Sequence, residues 1–385
     1  MRTEGISRAR FLAGAGAVGA AVSAGSLMAA GRAQAAGAAV GAAAGAGEGP
    51  GLAYRGVCYE VGKGETPGTA WNAARVRKDI RVIKEELHAG SVSVFGDGVE
   101  RLTAASSEAA ERGLHVWLQP RLRDRPQREI LDHLAETGRH AERLRRQGAR
   151  VHLSVGCEFV LFVPGIVPGA DVMERIENMT KGNFDPVQMK RRLRSFVARS
   201  ASVGRSVFHG PLTYAAAFDE AGETDWGLFD IVSVNYYAYH PRRSDYVREL
   251  TPYLRWGKPV AISEFGSCTF VGAPEQGGMG WNAVDYSKEP PEIVGDLVRS
   301  ERTQAAYLTD MLDVFESMGL YAALVYNFVS PDSPHRPEPR YDLDMASYSI
   351  VKTIKDRPED PASAWHWEPK QAFHALARHY GRARC

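Results

Sequence analysis

The 385 residues would fill two or three domains of about 150 residues each, or a single long barrel. With 44% hydrophobic and 24% charged residues, the composition is that of a globular chain with a sizeable core. Lys and Arg total 47 against 46 Asp and Glu; the net +1 excludes a strongly basic nucleic-acid surface, a polybasic membrane anchor and an acidic disordered tail, and four cysteines are too few for a disulfide scaffold.

Residues 1–50 differ from the rest, holding 18 Ala and 11 Gly. Arg2, Arg8 and Arg10 precede a weakly apolar run from Phe11 to Ala30 and a small-x-small site at Ala33-Gln34-Ala35. These are the three parts of an export signal. The reading is a signal over 1–35, a flexible linker over 36–52 and a barrel domain over 53–385, in a secreted or extracytoplasmic protein. The other reading is an Ala/Gly-rich extension on a cytoplasmic protein. Ser7-Arg8-Ala9-Arg10-Phe11-Leu12 resembles a twin-arginine signal, with Ala9 separating the two arginines. Dense Gly and Ala supply too little transfer energy for a spanning helix, so no integral membrane segment is expected in the mature chain. Gly14-x-Gly16-x-x-Gly19 matches the dinucleotide fingerprint but follows no strand, and the next acidic residue, Glu48, is too distant to hold a ribose.

From Tyr54 onward, short β-branched or aromatic runs alternate with longer stretches of helical period. Strands are predicted near 54–60, 90–96, 113–119, 150–158, 205–210, 229–237, 257–265 and 320–328. Val76, Ile80, Ile83 and Leu87 draw one apolar helix face between the first two strands. Ile130, Leu131, Leu134, Ala141 and Leu144 do the same after the third, and Asp185-Pro186 opens a helix with a capping residue and a proline at its first position. Eight such units predict an α/β fold, a single closed (β/α)8 TIM barrel, in preference to a doubly wound open sheet.

In that fold, function sits at the C-terminal ends of the strands. Strand four, Val151 to Glu158, alternates so that Val151, Leu153, Val155 and Cys157 face the helices while His152, Ser154, Gly156 and Glu158 point inward. Strand seven ends in Ile262-Ser263-Glu264-Phe265-Gly266, with Glu264 at the mouth. Two glutamates ending two apolar strands share one rim. Paired carboxyls suit glycoside hydrolysis, one donating a proton to the leaving sugar and the other attacking the anomeric carbon; a separation of roughly 5–5.5 Å gives retention. Either glutamate could instead form a rim ion pair with Arg55 or Arg121.

With those residues in place, the region 54–330 resembles the clan A (β/α)8 glycoside hydrolases. That resemblance implies Glu158 as acid/base and Glu264 as nucleophile in a retaining β-glycosidase that needs no cofactor. It also implies a tyrosine near the nucleophile from strand six, where alternation with Val232 and Val234 aims Asn235 and Tyr237 inward. The chain departs from the clan's pattern in two places: Cys157 stands where an asparagine usually binds a sugar hydroxyl, and Tyr326-Asn327-Phe328 stands where a tryptophan usually floors the site. Phe328 could offer a similar face. The segments Arg55-Gly56-Val57-Cys58-Tyr59, Trp117-Leu118-Gln119-Pro120-Arg121 and Tyr341 to Tyr348 look like an actinobacterial family often labelled "abortive infection protein", which implies phage defence.

Further candidates for substrate binding are Trp117, Gln119 and Arg121 on one face of strand three, and Tyr214, with His209 weaker. Trp117 could equally be barrel packing and Arg121 a counter-ion for Glu158. Trp281 belongs to a surface loop or to a wall over the site, and Arg340–Tyr348 closes the site or anchors the last helix. Cys58 and Cys157 lie across the barrel from one another and are not expected to bridge. No metal-ligand spacing occurs; Asp97, His152 and His240 are the residual possibility, and no metal is expected. The expected partner is a carbohydrate substrate, with no nucleic acid. The alternative is a catalytically weak glycosidase-like barrel that binds a glycan or cell-surface component.

Overall fold

The computed structural model describes residues 51–382. The signal and linker expectations lie outside those residues, as does Cys385. Eight parallel strands close a barrel: β1 (Tyr54–Glu60), β2 (Ser91–Gly96), β3 (His115–Pro120), β4 (Val151–Cys157), β5 (Leu212–Ala217), β6 (Val232–Asn235), β7 (Val260–Phe265) and β8 (Ala322–Val325). Consecutive strands neighbour each other and β8 pairs with β1, which makes the chain a single-domain (β/α)8 barrel.

The helices follow from their caps and apolar faces. Asn72 accepts the Arg75 amide at 3.0 Å and starts helix Ala73–Glu85, which buries Val76, Ile80 and Ile83. Asp185 caps helix Pro186–Val207 by accepting from the amides of Val187 and Gln188. After β5 the connection shrinks to two short turns, Phe218–Ala221 and Trp226–Leu228.

Strand five is displaced from its predicted place at 205–210. Arg205 to Val207 finish the 22-residue helix, and the strand begins after Gly210-Pro211. Its Leu-Thr-Tyr-Ala-Ala-Ala sequence has Thr213 as its one β-branched residue and ends in three alanines, so partners on both sides override local propensity. The helix lies close on it: a Cβ on Gly204 would stand 2.9 Å from Leu212 and 3.0 Å from Val155. A hairpin of Val351–Lys355 and Trp365–Pro369, outside the eight repeats, packs on the first helix, where Trp367 Nε1 donates to Asp79 at 2.9 Å.

One polar–aromatic cluster plugs the barrel. Tyr54 stacks on His115 at 3.9 Å, His115 Nε2 lies 3.0 Å from His152 Nδ1, and His152 Nε2 lies 2.9 Å from the Tyr321 hydroxyl. Trp117 meets Tyr54, His115 and His152 edge-on. Burial lowers both histidines, His152 to about 4. The unfolded chain takes up a proton on each near pH 6.5, while the folded chain refuses it until much lower pH. Stability is therefore complete above pH 6.5 and falls as pH drops toward 4. His152 alone should cost about 2 kcal/mol between pH 7 and pH 5, read as a fall in the urea midpoint. A midpoint unchanged over that interval would contradict the neutral cluster.

Candidate active site

The end of β4 carries a bulge. Its ladder to β5 shifts between Ser154 and Cys157, at Gly156, whose φ is +154°. A Cβ there would lie 2.4 Å from the Phe159 ring, so only glycine fits. Before the bulge the alternation is regular, with Leu153 against Gly138 and Val155 against Gly204 on the helix side. After it, Cys157 turns inward, correcting the outward orientation drawn from simple alternation. Its Sγ sits 3.4 Å from Asn235 Nδ2 and 3.7 Å from Glu264 Oε1.

Glu158 follows in a left-handed conformation, φ 39° and ψ 61°, which costs a non-glycine residue about 1–3 kcal/mol. The surroundings hold it there. The Glu158 amide donates to Ala215 O at 2.9 Å, the Phe159 amide to the Tyr214 hydroxyl at 2.7 Å, and the Val160 amide to Glu220 Oε1 at 2.8 Å. Tyr214 in turn donates to the other oxygen of Glu220. Tyr214 is thus a buried brace beneath the turn, its ring stacked on Phe159 at 4.4 Å, and does not face a ligand.

Glu264 lies across from that turn. Arg121 Nη2 donates to its Oε1, and the Tyr237 hydroxyl donates to its Oε2 at 3.0 Å. Gln119 Oε1 accepts from Arg121 Nε at 3.0 Å and fixes the guanidinium, which lies 4.1 Å over the Phe95 ring. Arg121 therefore answers Glu264 and not Glu158. Asn235 joins the halves: its Nδ2 donates to Glu158 Oε1 at 2.9 Å, and its Oδ1 accepts from Ser263 Oγ at 2.8 Å. Both carboxyls are about 1% exposed. Burial, then the charge of Glu264, push Glu158 well above the usual carboxylate range, against the pull of Asn235 and Arg121. Glu158 Oε2 has no hydrogen-bond partner. Burial also pushes the Cys157 thiol up, so it stays protonated, and raises Glu220 to about 7.

The structure thus brings together Glu158, Glu264, Arg121, Gln119, Asn235 and Tyr237, and separates others from them. Trp117 is enclosed in the aromatic plug and cannot stack on a sugar. Phe328 packs between Tyr59 and Trp367, away from the carboxyls; Tyr326 takes the inward position, 6.3 Å from the Tyr237 ring and 5.9 Å from Phe95. His209 is exposed beside Glu142. Asp97, His152 and His240 do not converge: they bind Arg101, the barrel plug and Glu249 respectively. Cys58, Cys157 and Cys268 are all free thiols.

The cap takes up two alternatives the sequence leaves open, a wall at Trp281 and closure by the segment ending at Tyr348. The segment Ala273–Ala283, two 3-10 stretches broken at Gly277, runs over the mouth with Trp281 buried, so Trp281 is no surface-loop residue. Tyr348 lies 5.6 Å from the Tyr237 ring, donates to Gly277 O at 2.8 Å and accepts from the Gly280 amide at 3.2 Å. Behind it, Lys370 Nζ meets Asp344 at 2.9 Å with both side chains wholly buried, and Arg299 holds Asp342 and Asp344 at 2.9 Å each. The 340–348 segment therefore both covers the carboxyls and anchors the start of the last helix, Gln371–Arg382. Lys370→Met should lower unfolding free energy by about 3–5 kcal/mol, because Asp344 keeps its burial and loses the wholly buried one of its two cations. A loss below about 1 kcal/mol in urea denaturation would show that Arg299 suffices alone.

No protein-family model matches the sequence, and no curated protein matches it. Solved structures do match in fold. A GH113 β-1,4-mannanase aligns with 14% identity and a TM-score of 0.53, covering 86% of this chain and 99% of that one. A β-glucuronidase from Ruminococcus gnavus in complex with D-glucaro 1,5-lactone aligns with 14% identity and a TM-score of 0.51, over 86% of this chain and 49% of that one. The β-glucuronidase 2 of Bacteroides uniformis, covalently bound to a cyclophellitol-6-carboxylate aziridine, gives 14% and 0.51, over 86% and 35%. The chain shares its (β/α)8 fold with these glycoside hydrolases.

Proposed function

We propose that the protein is a glycoside hydrolase that cleaves a β-glycosidic bond with retention of configuration. The observation that carries this reading is the unequal treatment of two buried carboxyls joined through Asn235. Glu158 is pushed toward its protonated form, whereas both oxygens of Glu264 receive donors from Arg121 and Tyr237. Glu264 attacks the anomeric carbon as the glycosidic bond breaks, and the departing oxygen takes the proton of Glu158. Glu158, now a carboxylate, removes a proton from water, and that water displaces Glu264 from the sugar. The fold shared with glycoside hydrolases supports a carbohydrate substrate.

A panel of 4-nitrophenyl β-glycosides tests this on the wild-type protein. Glu264→Gln should abolish turnover with the fold intact. Glu158→Gln should lower kcat/KM by about 10²–10⁴-fold on substrates with poor leaving groups, and far less on the nitrophenyl glycosides, which leave without a proton. Because Glu158 must be protonated to act, activity should persist through neutral pH and fall as pH rises through its raised pKa. Unchanged rates in Glu264→Gln, or an inverted product by NMR, would refute the assignment.

A second reading is a barrel that binds a glycan or cell-surface component without turning it over. It is favoured by the cap that leaves both carboxyls about 1% exposed and by a thiol at Cys157 in place of an amide. A role in phage defence would belong to this reading. Glycan binding with no hydrolysis of any panel member would select it. We also propose export, from the charged start, apolar middle and small-x-small end of residues 1–35. Recovery of the uncleaved chain from the cytoplasm alone would overturn that.

A further inference from the structure

A cleft of about 120 Å³ lies beside the carboxyl pair, between the loop 61–72, the ends of β1, β2 and β3, and residues 329–333. Arg121 belongs to both places. Its Nη2 holds Glu264, while its Nη1 has no hydrogen-bond partner although the side chain is only 2% exposed. A buried guanidinium donor without an acceptor is costly, and a ligand acceptor would remove that cost.

Glu60, the last residue of β1, lines the same cleft and is half-buried. Among the described residues no hydrogen bond or ion pair engages its carboxyl. Burial raises Glu60 to about 8; Arg123 and Arg121 face it and pull down, while Asp97 and Asp332 push up. At neutral pH it is a carboxylic acid, with one donor and one acceptor to offer. The other charges lining the cleft are Lys63 and Arg75 against Glu65 and Asp79. With Glu60 protonated, the four cations meet four anions, so the lining favours neither sign of ligand. Trp71 is half-buried along the wall, and Trp365 lies under the Arg75 guanidinium at 3.9 Å.

An uncharged, hydroxyl-rich ring with an apolar face satisfies all of these groups at once. Adjacent hydroxyls can exchange hydrogen bonds with the Glu60 acid and accept from Arg121 Nη1, and the ring's C–H face can lie on Trp71. We infer that this cleft is a subsite for a neutral pyranose, next to the position of the carboxyl pair. The inference rests on the glycan reading of the site but not on turnover.

Direct binding tests it. The full chain is titrated with methyl β-D-glucopyranoside, methyl β-D-mannopyranoside and methyl β-D-glucuronide, using calorimetry and saturation-transfer NMR. At least one neutral glycoside should bind. Glu60→Ala and Trp71→Ala should each weaken it about tenfold with unchanged thermal midpoints, whereas Glu264→Gln should bind it still. Wild-type affinity should fall as pH rises through about 8, and Glu60→Gln, which cannot ionise, should lose that dependence. Failure of both neutral glycosides to bind, tighter binding of the glucuronide, or affinities indifferent to both cleft variants would overturn the subsite. Binding with these effects but no hydrolysis would leave the subsite standing and remove the catalytic reading. Hydrolysis whose KM ignores Glu60→Ala and Trp71→Ala would do the reverse.

Discussion

The guanidinium of Arg121 is the constraint on which the mouth of this barrel is organised. Two carboxyls about 1% exposed cannot both be charged in a low-dielectric interior without a cation at hand. Arg121 meets Glu264, while burial and the charge of Glu264 push Glu158 well above the usual carboxylate range. A lysine would supply the charge without the geometry: the planar group stacks on Phe95 while Gln119 accepts from Nε and Nη2 and Glu264 accepts from Nη2 as well. Arg121 reaches this position because its amide donates to Gly96 O at 2.7 Å, extending the β2–β3 ladder one residue past Pro120.

Irregular pairing at the strand ends does the rest. The β4–β5 ladder shifts before Cys157, the β6–β7 ladder between Val234 and Asn235, and the β7–β8 ladder beside Phe265. Each shift lies at the C-terminal end of a strand that bears a site residue. A regular ladder sends successive side chains to opposite faces. The shifted ladders allow neighbours such as Ser263 and Glu264, or Cys157 and Glu158, to face the same centre. Hydrogen bonds from Tyr214 and Glu220 then make up for the left-handed backbone at Glu158.

These same features mark where the sequence could be read and where it could not. Glu158 and Glu264 stand out because each interrupts an apolar run at its end. Asn235 and Tyr237 follow from the regular alternation of Val232 and Val234. Cys157 was not legible, since one extra residue at Gly156 reverses the face and nothing local distinguishes it from an ordinary strand glycine. Strand five hid in alanines. Phe328 and Tyr326 exchanged roles because β8 ends at Val325, earlier than its aromatic run suggests. The cap has no period to read: the Gly-rich Ala273–Ala283 segment takes its place from contacts with Tyr348, some 70 residues further along the chain.

The two sides of that cap are held by different forces. Asp342 and Asp344 are fixed by Arg299 and Lys370 in a network with a wholly buried pair at its centre, and separating such a pair costs several kcal/mol. The Gly277–Gly280 side meets Tyr348 through two hydrogen bonds of about 1 kcal/mol net each. The same segment buries Ala273, Pro274 and Trp281, so apolar contact adds to those two bonds. Tyr348 accordingly joins an ionic anchor on one side of the mouth to an apolar, glycine-rich wall on the other.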